Sequence, residues 1–349
     1  MKTPIKGRGA QINTKNPYLS TSLDQNAEDG IDEYESPSPQ TQIFAEHPKN
    51  ILSKVDSPDV GFFYSLNPYQ GCEHGCIYCY ARNSHEYYGF SAGLDFETKI
   101  MAKHNAALLL EKEFQKKTWH PHPITLSGNT DCYQPIEKKL KITRAILGVM
   151  LRYGNPVSII TKNALILRDL DLVQALAKEN LVHVYLSITT LQEALRQKLE
   201  PRTATIQKRF DTMAALTEAG VPVGVMAAPI IPGLNHSEIP GILKKASEMG
   251  ACAAGYTVVR LNGSIGDLFY DWLKKQFPDR ATKVWHQIRE LHGGQVSDTR
   301  WKTRMHGEGP LAESIAQLFQ ISKEKYFGDR TMSRLSTIHF SHHGSMRLF

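Results

Sequence analysis

Three cysteines fall within one short segment, NPYQGCEHGCIYCYAR, where Cys72, Cys76 and Cys79 stand in a CxxxCxxC spacing. Thiolates hold iron–sulfur clusters, and a four-iron cube normally takes four of them. Three on one loop leave one iron without a protein ligand, an open position like that of a catalytic zinc. Gly71 and Gly75 allow the loop the positive φ that a close wrap around a cluster requires. A Cys₃His zinc site completed by His74 or His85 is the competing reading, but zinc pairs usually show CxxC knuckles, which favours the cluster. Cys132 and Cys252 stand alone, and five cysteines in 349 residues are too few for a disulfide scaffold.

Positioning such a loop is the task of the elements around it. From Gly61 onward, strand patterns alternate with helical ones. Strands are predicted over 61–69, 123–129, 156–163, 181–190, 221–233 and 251–261, from short apolar and β-branched runs bounded by turn residues. Helices are predicted over 104–117, 136–154, 167–180, 205–220 and 237–250, from apolar spacing of three and four with glycines at several ends. Six repeats of this kind call for right-handed parallel crossovers. Strands such as SIIT and VGVMAAPII are apolar on both faces, as a helix-covered parallel sheet requires. The fold class is therefore α/β, either a partial barrel or a doubly wound sheet. In both, chemistry belongs at the carboxyl ends of the strands. Polar residues stand there: Ser127, Gly128, Asn129 and Asp131 after the second strand, Lys162 after the third, Ser187 after the fourth.

The cysteine loop resembles that of the radical S-adenosylmethionine (SAM) superfamily. The resemblance implies a [4Fe–4S] cluster on Cys72, Cys76 and Cys79, with SAM chelated by the open iron. An electron from an external donor of flavodoxin or ferredoxin type then cleaves the sulfonium and gives a 5′-deoxyadenosyl radical. It also implies that Tyr78 lies against the adenine and that the polar segment Ser127–Asp131 holds the SAM amino group, although the common Gly-Gly-Glu form is missing here. A lysine and a hydroxyl in one mouth, Lys162 and Ser187, suit the SAM carboxylate and ribose. The stretch LEPRTATIQKRFDTMAALTEAGVPVGVMAAPIIPG is similar to the spore photoproduct lyase branch, through Glu200, Pro201, Thr203, Lys208, Arg209 and Ala228-Pro229-Ile230. That resemblance implies a partial (βα)₆ barrel in which Glu200 pairs with Arg209 across the mouth or Arg209 contacts SAM. An exposed helix-cap ion pair, worth little, is the plainer alternative. The branch carries a hydrogen-donating cysteine just before its SAM-holding residues, where LSGNTD has none. Cys132, which follows, is then a displaced hydrogen donor, a ligand, or a small buried hydrophobe. Cys252 is expected in the core.

Composition narrows the rest. The formal charge is +6, from 41 Lys plus Arg against 35 Asp plus Glu, and is mild for this length. Nucleic acid enters as a partner only through RWKTRMHGEG, where Trp301 lies among Arg300, Lys302, Arg304 and His306. A non-enzymatic iron–sulfur or zinc protein that binds nucleic acid is thus the alternative function. No apolar run is long enough for a membrane span and no apolar leader opens the chain, so the cytoplasm is the expected location. The predicted organisation is an irregular or disordered arm over 1–58, whose opening KGRGAQINTKN reads as a solvated basic tail, and a barrel over 59–265. A helical extension over 266–330 and a loosely ordered tail over 331–349 follow, the tail carrying His342 and His343.

Overall fold

The computed structural model describes residues 5–19 and 40–344. Its main sheet has seven strands in the order β10-β9-β8-β7-β6-β3-β2. In chain order the strands are β1 (Gln42–Ala45), β2 (Leu52–Lys54), β3 (Tyr64–Leu66), β4 (Tyr69–Gln70) and β5 (Lys99–Ala102). They continue with β6 (Ile124–Leu126), β7 (Val157–Thr161), β8 (Val182–Ser187), β9 (Val223–Ile230) and β10 (Ala253–Val258). The six strands β3, β6, β7, β8, β9 and β10 are all parallel, while β2 joins β3 antiparallel at the edge. Each parallel strand lies beside the next one in sequence. A doubly wound sheet would reverse its order at a switch point, so this is the partial barrel. Among the described residues β10 does not pair with β2 or β3, and the barrel stays open.

Val157, Ile159, Val182, Val184, Leu186, Val223 and Val225 are all buried in the core shared by the sheet and its helices. The helix predicted over 136–154 is two helices, Glu137–Leu140 and Ile142–Tyr153, split where Lys141 takes a left-handed conformation. Glu137 explains the break. Its buried carboxylate accepts the Thr143 amide of the second helix at 3.1 Å and the Arg168 guanidinium at 2.6 Å, which a continuous helix would forbid.

The predicted boundaries fare unevenly. Helices Ile265–Gln276, Ala281–Leu291 and Gly309–Phe327 supply the predicted extension, but Ala312, Ile315, Phe319 and Phe327 share the barrel's own core. The tail is not loose over its described part. Ser341 N donates to Tyr153 O at 3.0 Å, and Phe340 meets Phe114 edge-on at 5.7 Å. The expected irregular arm also needs correction. Gln42–Ala45 pairs in parallel with β5, Leu52–Lys54 extends the main sheet, and Gly9 to Asn16 bond to Glu97 and to residues 86–95, with Gly9 against Gly75 of the cysteine loop. Gln42–Ala45 is exposed along its whole length and Leu52–Lys54 over most of it, so neither carries the buried apolar run that marked the barrel strands. The rest of that arm, residues 1–4 and 20–39, and the chain end, 345–349, lie outside the described residues.

Candidate active site

Gly71 and Gly75 both adopt positive φ, and a Cβ on Gly75 would stand 2.7 Å from the Glu97 carboxylate. The loop between them and Cys79 is pinned by its backbone. Cys72 N donates to Phe96 O at 2.9 Å, Ile77 N to Leu199 O at 3.0 Å, and Gln134 bridges Glu73 N and Gly71 O. Cys72 and Cys76 are buried, Cys79 is half-buried, and all three are free thiols. They open into a cavity of about 240 Å³ whose walls come from the carboxyl ends of all six parallel strands. After β3 come the cysteines, after β6 Ser127, Asn129 and Asp131, and at β7 Thr161 and Lys162. The remaining strands contribute Ser187, then Met226 and Ala228, then Thr257 and Arg260.

Burial raises all three thiols above their ordinary value, Asp131 adding to this at Cys72 and Glu200 at Cys76. Thiols so placed ionise only opposite a strong cation, and a metal-bound thiol is deprotonated outright. Among the described residues no three Cys, His, Asp or Glu side chains converge on a single metal ion. His85, a ligand of the alternative zinc reading, is enclosed by the Phe90 and Phe96 rings, and burial lowers its pKa to about 4. Three free thiols around one shared space fit the cluster, and His74, which lines the same cavity, has its Nδ1 3.4 Å from Asp131.

Lys162 Nζ donates to Ser187 Oγ at 2.8 Å, so the lysine and hydroxyl singled out at successive strand ends do meet in one mouth. Asp131 lines it too, but its oxygens are occupied. They accept Tyr133 N at 2.9 Å, Thr161 Oγ1 at 2.8 Å and Lys162 N at 2.8 Å, with His74 Nδ1 at 3.4 Å. Burial alone would raise this carboxyl; His74 and the amides outweigh it and hold it below the ordinary value. Asn129 faces the cavity while its amide group donates to Gln70 and Ser84. Ser127 lines it with a left-handed backbone, its Oγ accepting Cys132 N at 2.8 Å.

The other predicted site residues find different employment. Gly128 is packed against Ser65, 2.2 Å from where a Cβ would stand, and its carbonyl accepts the Tyr80 hydroxyl. Glu200 and Arg209 do not line the cavity. They form a buried pair at 2.6 Å, and Arg209 also donates to Ala204 O, Ser187 O and Thr203 Oγ1. Four of its five N–H groups are thus engaged within the protein, and a pair this buried is not an exposed helix cap. Tyr78 lines the cavity wall, its hydroxyl donating to Glu200 and lying 3.2 Å from Thr189. Cys132 is fully buried in the core, its carbonyl accepting the Thr143 hydroxyl at 2.6 Å, so the small-hydrophobe reading describes it. Cys132→Ala should therefore leave iron content and SAM cleavage unchanged and cost about 1–2 kcal/mol of stability in a denaturant titration. Cys252, expected in the core, is half-buried, with Sγ 3.4 Å from Val223 O.

Tyr80 and Met305 at the mouth lie within the cysteine segment and the basic run without being singled out there, and Arg260 lies outside both. Arg260 follows the sixth strand as Lys162 follows the third, and that position was the available signal. The basic run is largely self-neutralised: Arg300 pairs with Asp298 and Glu308, and Arg304 pairs with Asp59 while lying over the Trp301 ring at 4.1 Å. His342 is 2.8 Å from Phe114 O, an occupied position for a residue expected in a loose tail.

Comparison with known proteins accords with this geometry. The chain is 34% identical over 247 residues to the uncharacterized protein Rv2578c of Mycobacterium tuberculosis, covering 70% of this chain and 72% of that one. It is 22% identical over 223 residues to a radical SAM Nα-GlyT isomerase of Pseudomonas phage M6, covering 63% of this chain and 44% of that one. Spore photoproduct lyase complexed with dinucleoside spore photoproduct superposes with a TM-score of 0.59 at 14% identity, covering 82% of this chain and 80% of that one, a likeness of fold. Residues 66–246 match the radical SAM superfamily, whose cofactors are a [4Fe–4S] cluster and SAM, and the chain belongs to that superfamily.

Proposed function

We propose that Cys72, Cys76 and Cys79 hold the [4Fe–4S] cluster and that the cavity behind them binds SAM for reductive cleavage and hydrogen abstraction from a substrate at the mouth. The observation that carries this reading is the single cavity shared by three free thiols and six strand ends. When bound, the cluster and SAM would supply the reductive cleavage chemistry that starts hydrogen abstraction, held by Cys72, Cys76 and Cys79 and by the cavity behind them. The protein's own residues orient and enclose. Lys162 and Ser187 present an amine and a hydroxyl to the SAM carboxylate and ribose, while Ile160, Met226, Ala228 and Val258 offer an apolar wall to the adenosine. Asp131 fixes the Lys162 backbone, and Glu200 fixes the Tyr78 hydroxyl.

The electron comes from an external flavodoxin- or ferredoxin-type donor. The mouth favours an anionic substrate, because Arg260 lines it without a hydrogen bond or ion pair among the described residues. A nucleic-acid component is the anion we favour, given the dinucleoside spore photoproduct named in complex with the structural neighbour. Among the described residues no helix is long and apolar enough to cross a membrane, and we place the protein in the cytoplasm.

Anaerobic reconstitution should load about four irons per chain, and dithionite should then release 5′-deoxyadenosine and methionine slowly without added substrate. Stoichiometric zinc with no iron would sink the proposal. Lys162→Ala should raise the Kd for SAM about tenfold, the scale of one charge-assisted hydrogen bond, at unchanged iron content. Isothermal titration reads this directly, and an unchanged Kd removes Lys162 from the SAM site.

A further inference from the structure

The segment Arg8-Gly9-Ala10 touches the cysteine loop more intimately than a solvated tail could. Gly9 N and Ala10 N donate to the two carboxylate oxygens of Glu97, at 3.1 and 2.7 Å, and Arg8 Nη1 donates to the Glu97 carbonyl at 2.9 Å. Glu97 is fully buried and also accepts Arg82 Nη2 at 2.5 Å. Arg82, equally buried, donates Nε to the Cys76 carbonyl at 2.9 Å and Nη1 to the carbonyls of Ala92 and Gly93. A continuous chain of charge-assisted hydrogen bonds therefore runs from the arm through Glu97 and Arg82 to the backbone of a proposed cluster ligand.

Steric fit points the same way. A Cβ on Gly9 would stand 1.8 Å from Gly75 O, and one on Gly93 would stand 2.1 Å from Ile12 O, so glycine alone permits these two backbone contacts. Beyond them the arm stays in register: Asn13 exchanges hydrogen bonds with Asp95, Thr14 N donates to Ser91 Oγ, and Asn16 Nδ2 donates to the carbonyls of Glu86 and Phe90. Without the arm, the buried Glu97 carboxylate would lose both amide donors, a costly loss at a site closed to water.

We propose that residues 8–16 are a latch that holds the cysteine loop in its cluster-binding conformation and slows loss of the cluster to oxidation. The latch rests on the assignment of Cys72, Cys76 and Cys79 as cluster ligands. Coupling of this kind is reciprocal: if the docked arm tightens cluster binding, the cluster must tighten arm docking. Arg82 and Glu97 act through Cys76 and are positioning residues.

Two measurements test it. In air, the visible absorption of the reconstituted Gly9→Ala variant should decay about tenfold faster than that of wild type, the scale of one lost charge-assisted bond. Lys6→Ala, whose side chain is exposed, should decay like wild type. Independently of activity, trypsin should cut wild-type chain after Arg8 and Lys15 about tenfold more slowly with cluster than without it, and Gly9→Ala should lose that difference. Wild-type protein that takes up no iron overturns the cysteine assignment and the latch together. Protein that keeps its iron, but whose arm is cut at one rate in both states or whose Gly9→Ala variant decays like wild type, overturns the latch alone.

Discussion

Arg209→Ala should lower the unfolding free energy of the cluster-free protein by about 3–5 kcal/mol, the usual consequence of stranding one member of a buried ion pair. Both partners are out of water, Glu200 at 0% and Arg209 at 1% relative exposure. Burial alone would raise the Glu200 carboxyl, but Arg209 and Lys162, with the Thr189 and Tyr78 hydroxyls, bring it down to about 2. A carboxyl depressed from its ordinary 4.5 binds its proton more readily in the unfolded chain. Its stabilisation is therefore fully present above about pH 4.5 and is lost as pH falls toward 2. Urea titrations across that window should show wild type losing stability on acidification and Arg209→Ala starting low with a flatter profile. The double variant Glu200→Gln/Arg209→Met should be less destabilised than Arg209→Ala, because no charge is left unpaired. An Arg209→Ala cost below 1 kcal/mol would show that the pair is hydrated and that the clamp on Tyr78 is weak.

Those two residues mark the boundary of what the sequence could convey. Their pairing was one of two readings that the family resemblance implied; their burial was not legible, because burial depends on the helix Glu193–Leu199 and the loop after it folding back beneath Tyr78. The six parallel strands were legible because each carries a local apolar run, and strand ends follow from strands. Lys162 and Ser187 were found that way. Cys132 illustrates the opposite case. Its neighbours Ser127 and Asp131 line the cavity, whereas Cys132, one residue further on, lies in the core. Nothing in LSGNTDC marks which of two adjacent side chains turns inward. The arm was missed for a related reason. RGA has no period and no apolar face, and its partner Glu97 lies far along the chain.

Replacing Cys72, Cys76 and Cys79 together by Ala should have the largest effect of all, reducing iron to background and SAM cleavage to none. The loop's geometry does not depend on the sulfurs: Phe96 O, Leu199 O, Gln134 and Arg82 hold its backbone. Its thiols are also pushed toward the neutral form by burial, so in the cluster-free chain they act as small apolar side chains. The triple variant should accordingly keep the circular dichroism of the cluster-free wild type and lose about 1–2 kcal/mol per buried sulfur at most. A partial effect is not expected, because a cube held by two thiolates has two exposed irons and is readily dismantled. Single variants should therefore resemble the triple variant in iron content. If a single variant at Cys79, the most exposed of the three, retains full iron and slow 5′-deoxyadenosine release, then a fourth ligand such as His74 substitutes for it. The open iron on which SAM binding depends would then have to be reassigned. If the triple variant still releases 5′-deoxyadenosine under dithionite, the cleavage arises elsewhere and this cavity is not the site.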